Sequence, residues 1–225
     1  FFFTPDFAAG SFRTQALLKV LEKKDNVKKI IIFTTMPNRY SESSNKGLMK
    51  VEEYDINNKN IKIFRFSSIT HHNNLILQVC SYFIFSFHCL INIYKIRKEI
   101  NLIYATSSRF ATAFLGYFLS RIINVKINLD IRDIFSESLA VVGKNNFLIR
   151  KLSNFIKILE NYIFKNADSI TYVSKGFVNN FSINKNKNIL YIPNGIDEVF
   201  IKNKKVSKKK NNDSLEILYA GNIGL

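Results

Sequence analysis

Short unbroken apolar runs alternate along this chain with longer stretches whose apolar positions recur at helical spacing. Residues 29–35 read Lys-Ile-Ile-Ile-Phe-Thr-Thr, the kind of run that a strand covered on both faces requires. Before it, Phe12, Ala16, Leu17, Val20 and Leu21 predict a helix over 12–24. Residues 1–4 then read as the end of a first strand and 5–11 as a loop of small residues, so the chain opens strand-helix-strand, which implies a parallel sheet. After a polar loop over 36–47, residues 51–54 and 61–66 flank an asparagine-rich turn and predict a hairpin, although the first also fits the end of a short helix.

Residues 75–94 are the most apolar stretch, interrupted only by Gln78, Ser81, Ser86, His88 and Asn92. About twenty residues is the length needed to span a bilayer. The next strand, 101–106, nevertheless continues the α/β alternation without a pause, so the pattern predicts a long, largely buried crossover helix ending near Glu99. A membrane span, or a helix leaning on a membrane surface with aromatic and basic side chains, are the competing readings.

Thr106, Ser107 and Ser108 then precede a helix over 109–123, and a strand follows at 126–130. Leu148, Leu152, Phe155, Leu159 and Tyr162 step by four and three and predict the apolar face of a helix ending near Asn166. Strands at 169–173 and 188–192 follow, the second closed by a Pro-Asn-Gly-Ile-Asp turn in which Gly195 suits a positive backbone angle. Residues 198–214 are crowded with lysine and asparagine and read as a solvated linker. Residues 215–220 read as a fresh strand, and 221–224 as a glycine-containing turn. The expectation is therefore an α/β chain: a Rossmann-like, doubly wound parallel sheet over 1–197, a linker over 198–214, and the start of a truncated second domain at 215–225.

The most distinctive chemistry lies where the strand 126–130 runs into Asp130-Ile131-Arg132-Asp133-Ile134-Phe135-Ser136-Glu137-Ser138. Ligands of open α/β sheets bind outside the carboxyl ends of the strands, which makes these charges candidates for a site. The competing reading is structural: Asp133 or Ser136 caps a short helix, with Glu137 in its first turn favoured by the helix dipole. Gly10 and Ser11, ahead of the first helix, are similarly placed either to receive a phosphate or sugar hydroxyl or merely to turn and cap the chain.

Composition narrows the class. With 225 residues and 47% hydrophobic content the chain is globular and not disordered. It opens inside an apolar Phe-Phe-Phe run without the basic flank of a signal peptide, which reads as a strand whose start lies upstream. Cys80 and Cys89, nine apart in a helix turning about 100° per residue, fall on opposite faces and cannot pair, which fits a reducing cytoplasm. No Cys/His spacing predicts a metal site. The formal net charge of +16 attracts polyanions such as nucleotide diphosphates, anionic lipids or nucleic acid, although much of it is lysine interleaved with asparagine and isoleucine throughout.

The order of signals resembles a known family. Residues 5–14 (Pro-Asp-Phe-Ala-Ala-Gly-Ser-Phe-Arg-Thr), 35–40 (Thr-Met-Pro-Asn-Arg-Tyr), 130–133 (Asp-Ile-Arg-Asp), 167–174 (Ala-Asp-Ser-Ile-Thr-Tyr-Val-Ser), 193–197 (Pro-Asn-Gly-Ile-Asp) and 219–224 (Tyr-Ala-Gly-Asn-Ile-Gly) together look like glycosyltransferase family 4, of the two-domain GT-B fold. The Met-Pro-Asn-Arg-Tyr stretch is similar to bacterial L-fucosamine-type transferases of surface polysaccharide synthesis. The resemblance implies retaining transfer of a sugar, an N-acetylated amino-deoxysugar, from a nucleotide-diphosphate donor, with no cofactor and no metal. The acceptor it implies is a polyprenyl-diphosphate-linked oligosaccharide of O-antigen or capsule synthesis. This chain would be the acceptor-side domain, peripheral on the inner face of the cytoplasmic membrane, its basic surplus meeting an anionic membrane surface.

Carried onto this sequence, the resemblance makes Asp133, Arg132 and Glu137 the catalytic candidates. Gly10, Ser11, Arg13, Asn38, Arg39, Ser107, Ser174, Asn194, Gly195, Gly221 and Gly224 become the donor- or acceptor-binding candidates. Many family members carry a histidine-containing signature near the central turn, where this chain has Asp-Ile-Arg-Asp, and there Asp133 takes the role of an acceptor-orienting carboxylate. The later donor-binding groups of the family do not occur before Leu225, so the chain taken alone is expected to be inactive. The alternatives are a nucleotide-sugar epimerase of the same fold and a basic nucleic-acid binding module. The second needs exposed aromatics among the basic residues, whereas the aromatics here sit in apolar patterns that read as core, so no nucleic-acid partner is expected.

Overall fold

A computed structural model of the chain describes residues 3–5, 9–37, 49–67, 75–107, 110–144, 146–181, 188–196 and 201. The chain divides into two units, 1–194 and 195–225. The helices and strands of the described residues belong to the first. Its elements are α1 (Ala9–Leu21), β1 (Lys29–Thr35), β2 (Val51–Ile56), β3 (Lys59–Phe66), α2 (Leu75–Ile96), β4 (Leu102–Thr106), α3 (Phe110–Ile122), β5 (Lys126–Ile131), α4 (Phe135–Val142), α5 (Phe147–Asn166), β6 (Ser169–Tyr172) and β7 (Asn188–Tyr191), with 3-10 turns at Arg97–Glu99 and Lys175–Asn180.

The fold is mixed α/β, with an all-parallel four-stranded sheet flanked by helices, as the alternating pattern predicts. That sheet has the order β4-β5-β6-β7, and a separate three-stranded sheet has the order β1-β3-β2. In the second sheet β1 and β3 are parallel while β2 and β3 form the antiparallel hairpin, turned at Asn57 and Asn58 with positive φ of 49° and 61°. Asparagine tolerates that region better than other side chains because its short amide bonds locally. Residues 3–5 are not a strand, contrary to the expectation for 1–4: Thr4 and Pro5 lie in a turn, and Phe3 joins the core beneath α1 instead of a ladder.

Alternate residues of β3 separate two cores. Ile61 and Ile63 pack with Leu18 of α1, whereas Phe64 and Phe66 pack with Phe33, with Phe85, Cys89 and Ile93 of α2, and with Leu119 of α3. Successive strand side chains point to opposite faces, so α1 and α2 cover opposite sides of this sheet. A third core joins Ile127, Leu129, Ile131 and Ile170 of the parallel sheet to Ala113 and Tyr117 of α3 and Ile163 and Phe164 of α5. Helices α2, α3 and α5 thus form one layer. Gly116 is what lets α3 approach β4: a Cβ there would stand 2.3 Å from the Cβ of Ala105.

Two expectations about helices fail on burial. From 77 to 96, the positions of α2 whose burial is described, Ser81, Phe85, Cys89 and Ile93 are the buried ones, a single stripe four residues apart, so this part of the helix is not the largely buried element predicted. In α5 the buried positions are Ser153, Ile156, Glu160, Ile163 and Phe164, while Leu148, Leu152, Phe155 and Tyr162 of the predicted apolar face are exposed. The physical reason lies in α5's polar contacts. Glu160 holds the start of α4 and Ser153 donates to the Ser136 carbonyl at 2.8 Å, which rotates that side of the helix inward.

Candidate functional site

The parallel sheet has one apolar face and one polar face. On β5, Ile127, Leu129 and Ile131 enter the core, and the intervening Asn128 and Asp130 point the other way. The polar face is bonded across strands: Ser169 Oγ donates to Asn128 Oδ1 at 2.7 Å, and Thr171 Oγ1 donates to Asp130 Oδ1 at 2.8 Å. Asp130 is fully buried, and a buried charge persists only when paired and hydrogen-bonded.

Its partner is Arg13. The guanidinium donates from Nε to Asp130 Oδ2 at 2.9 Å and from Nη2 to Oδ1 at 2.8 Å, the two-pronged geometry that makes Arg–carboxylate pairs strong. Nη2 also reaches the Ile192 carbonyl at 3.0 Å, and Nη1 reaches the Pro193 carbonyl and Asn194 Oδ1, both at 3.4 Å. The bond to Asp130 raises the Arg13 pKa further, against the opposing effect of burial. Beside the pair, the Tyr104 hydroxyl is pushed up, first by burial and then by the Asp130 charge. Arg13 was expected to bind ligand, but all five of its donors are engaged within the protein. Its work is to lock α1, the end of β5 and the segment after β7 together.

The loops that leave the carboxyl ends of the parallel strands are organised by Ser107. Its amide donates to the Asp130 carbonyl at 2.8 Å, its Oγ accepts from the Arg132 amide at 2.9 Å, and that Oγ also donates to the Asp133 carbonyl at 3.3 Å. Ser107 therefore shapes the turn that presents Arg132 and Asp133. Arg132 keeps Nε and Nη1 shielded from solvent with no hydrogen-bond partner. The Asp133 side chain is exposed and, among the described residues, holds no partner. Glu137 is exposed in the first turn of α4, and Ser174 is exposed after β6, its carbonyl accepting from the Phe177 amide at 3.0 Å.

The capping alternative for this turn is excluded by geometry. The residue before α4 is Ile134, and neither Asp133 nor Ser136 caps the helix. The first amides of α4 are taken by Glu160 of α5, whose Oε1 accepts from Phe135 N at 2.9 Å and from Ser136 N at 3.4 Å, and whose Oε2 accepts the Ser136 hydroxyl. Burial raises the Glu160 pKa, and the bonds from Ser136 and Phe135 partly offset the rise. Since those amides are occupied, the α4 N-terminus is not an open anion site.

Gly10 and Ser11 lie inside the first turn of α1 and not in a loop before it; Ser11 is fully buried, and the Gly10 carbonyl accepts from Thr14 Oγ1. Asn194 sits at the carboxyl edge through its contact with Arg13. Gly195 belongs to the second unit; its φ lies outside the left-handed region, and a Cβ there would meet nothing within 4 Å, so the backbone angle expected of this glycine does not occur. Asn38, Arg39, Gly221 and Gly224 lie outside the described residues. Asp168, part of the 167–174 motif, stands at the opposite end of the sheet, where it accepts from the Ile127 amide at 2.9 Å.

Sequence reasoning overlooked Asp130, Thr171, Tyr104 and Glu160 as partners. An acid at the end of a buried strand and an acid on the inward side of a helix were the visible signals, but their counterparts are 117 and 24 residues away. Two concavities among the described residues lie away from this edge, one lined by Lys157, Asn161 and Lys165 on α5, the other between α1 and β2–β3 near Arg65. Among the described residues no three His, Cys, Asp or Glu side chains gather as a metal site. No protein-family profile matches this chain, and no curated protein sequence matches it.

Proposed function

We propose that the chain is the acceptor-side domain of a retaining glycosyltransferase of the family 4 type. It would act with a nucleotide-diphosphate sugar and a polyprenyl-diphosphate-linked acceptor in surface polysaccharide synthesis at the inner face of the cytoplasmic membrane. The observation that carries this reading is the succession of Arg132 and Asp133 at the carboxyl edge of the parallel sheet: a guanidinium with two shielded nitrogens that have no hydrogen-bond partner, then an exposed carboxylate with no partner among the described residues. Unsatisfied buried donors cost about 1–3 kcal/mol each, so the Arg132 guanidinium is held in this turn against that cost.

In this reading Asp133 accepts a hydrogen bond from the attacking acceptor hydroxyl and orients it, while Arg132 offsets negative charge developing as the nucleoside diphosphate leaves. The reaction needs no cofactor or metal. Ser107 is the positioning residue, holding both through their backbones. The test is sugar transfer from nucleotide-sugar donors to a polyprenyl-diphosphate-linked acceptor, measured on the natural polypeptide that contains this chain. Arg132→Met and Asp133→Asn should each lower turnover by about 100-fold or more. Wild-type turnover in both variants would end the assignment, and release of an epimerised free sugar without acceptor would replace it with the epimerase reading.

A further inference from the structure

Helix α2 has the reverse of the polarity expected for a helix bathed in water. Its polar residues turn toward the protein or its flanks: Ser81 is buried, Ser86 and Asn92 donate to the carbonyls of Tyr82 and His88 at 2.8 Å, and the His88 ring stacks on Phe66. From 77 to 94 every exposed position is instead apolar, save the thiol of Cys80. Phe83 and Phe87 are 67% and 62% exposed, and Ile84, Ile91 and Tyr94 extend the same face. A surface helix in water carries its charges outward, whereas this face carries none before Lys95. Phe118 on neighbouring α3 is exposed as well.

The stretch from Leu77 to Glu99 is long and apolar enough to cross a membrane; its most apolar 18 residues have mean hydropathy 1.4, and 22% of them are buried. Its inner stripe, however, is committed: Phe85, Cys89 and Ile93 pack against Phe66 and Leu119, and burial pushes the Cys89 thiol up to about 12. Spanning would tear that core open, so the helix stays on the domain and offers only its outer half. A second copy is a poor cover, because each copy carries +16 and two would repel. An anionic lipid surface is attracted instead, and Lys95, Arg97 and Lys98 close the apolar face, with the Arg97 guanidinium 4.0 Å over the Tyr94 ring. Cations backed by aromatic rings suit headgroup depth.

We propose that the outer face of α2 inserts into the interfacial layer of an anionic bilayer, the helix lying in the membrane plane, so that attachment is hydrophobic and not electrostatic alone. The proposal rests on the membrane-side reading above for its setting, but its test involves no sugar transfer, so the two can fail separately. The chain has no tryptophan, and a single Phe87→Trp therefore reports alone; Val20→Trp, exposed on α1 across the sheet, is the control. With phosphatidylglycerol vesicles, Phe87→Trp emission should shift to the blue and be quenched by acyl-chain bromine, and Val20→Trp emission should do neither. Binding should persist in part at about 1 M salt, where the Debye length is about 3 Å. Phe83→Glu with Phe87→Glu should cut the bound fraction at least about tenfold while circular dichroism stays unchanged. No blue shift with vesicles, a blue shift without lipid that grows with protein concentration, or wild-type binding by the double glutamate variant would each overturn the proposal.

Discussion

Arg13, on the first helix, and Asp130, at the end of a central strand, form a two-pronged ion pair with bonds of 2.9 and 2.8 Å, sealed by Thr171. The Asp130 side chain is 1% exposed and the Arg13 side chain 15%. Removing one partner of such a pair strands the other charge, at a cost of about 3–5 kcal/mol. Asp130→Asn and Arg13→Met should each lower stability toward that range, and the double variant should lose clearly less than their sum. Urea unfolding of all four proteins measures the coupling, and additive losses would show that the pair does not act as a unit.

Glu160 supplies a pH test. Its pKa is raised in the folded protein, chiefly by burial, so the folded state holds the proton more tightly than the unfolded one. This contribution to stability is present below the ordinary glutamate range and is lost as pH rises through the folded value. Glu160→Gln should flatten that decline, because the amide oxygen still accepts from the α4 amides. Glu160→Leu should destabilise by about 1–3 kcal/mol by leaving them unpaired. Thermal unfolding between acid and neutral pH distinguishes these outcomes. A decline identical in wild type and Glu160→Gln would assign it to another group.

Gly116 tests the packing of α3 on β4. Alanine is the better helix former, yet its Cβ would sit 2.3 Å from that of Ala105, a distance that forces backbone to move. Gly116→Ala should therefore cost about 1–3 kcal/mol as overpacking. Adding Ala105→Gly should restore part of it. A stabilising Gly116→Ala would mean that propensity outweighs the contact.

Asp133 separates chemistry from stability. Its side chain caps no helix, so Asp133→Asn should leave unfolding free energy within about 0.5 kcal/mol while sugar transfer falls. A stability loss of about 1 kcal/mol with turnover per folded molecule unchanged would restore the capping role.

Much of the fold was legible as pattern. The Lys-Ile-Ile-Ile-Phe run became β1, the asparagine-rich turn became the β2–β3 hairpin, and the four-stranded parallel sheet followed from alternating strands and helices. Local spacing records period, but it does not say which side of an apolar helix meets the core. Where apolar residues surround the axis, as in α2 and α5, several stripes fit equally well, and the side chosen depends on what the neighbouring element offers.

Element type, their order, and the cluster of charges after β5 were determined by the sequence, because period and turn chemistry act over a few residues. The roles within that cluster were decided only by tertiary structure. Ser107 shapes the turn, Glu160 occupies the helix start, and Arg13 is spent on Asp130. Each of those bonds joins residues far apart in the chain, and hydrogen bonding across such distances leaves no local period to read. The same holds for the outward face of α2, where burial of one stripe against Phe66 and Leu119 left the other apolar stripe facing out.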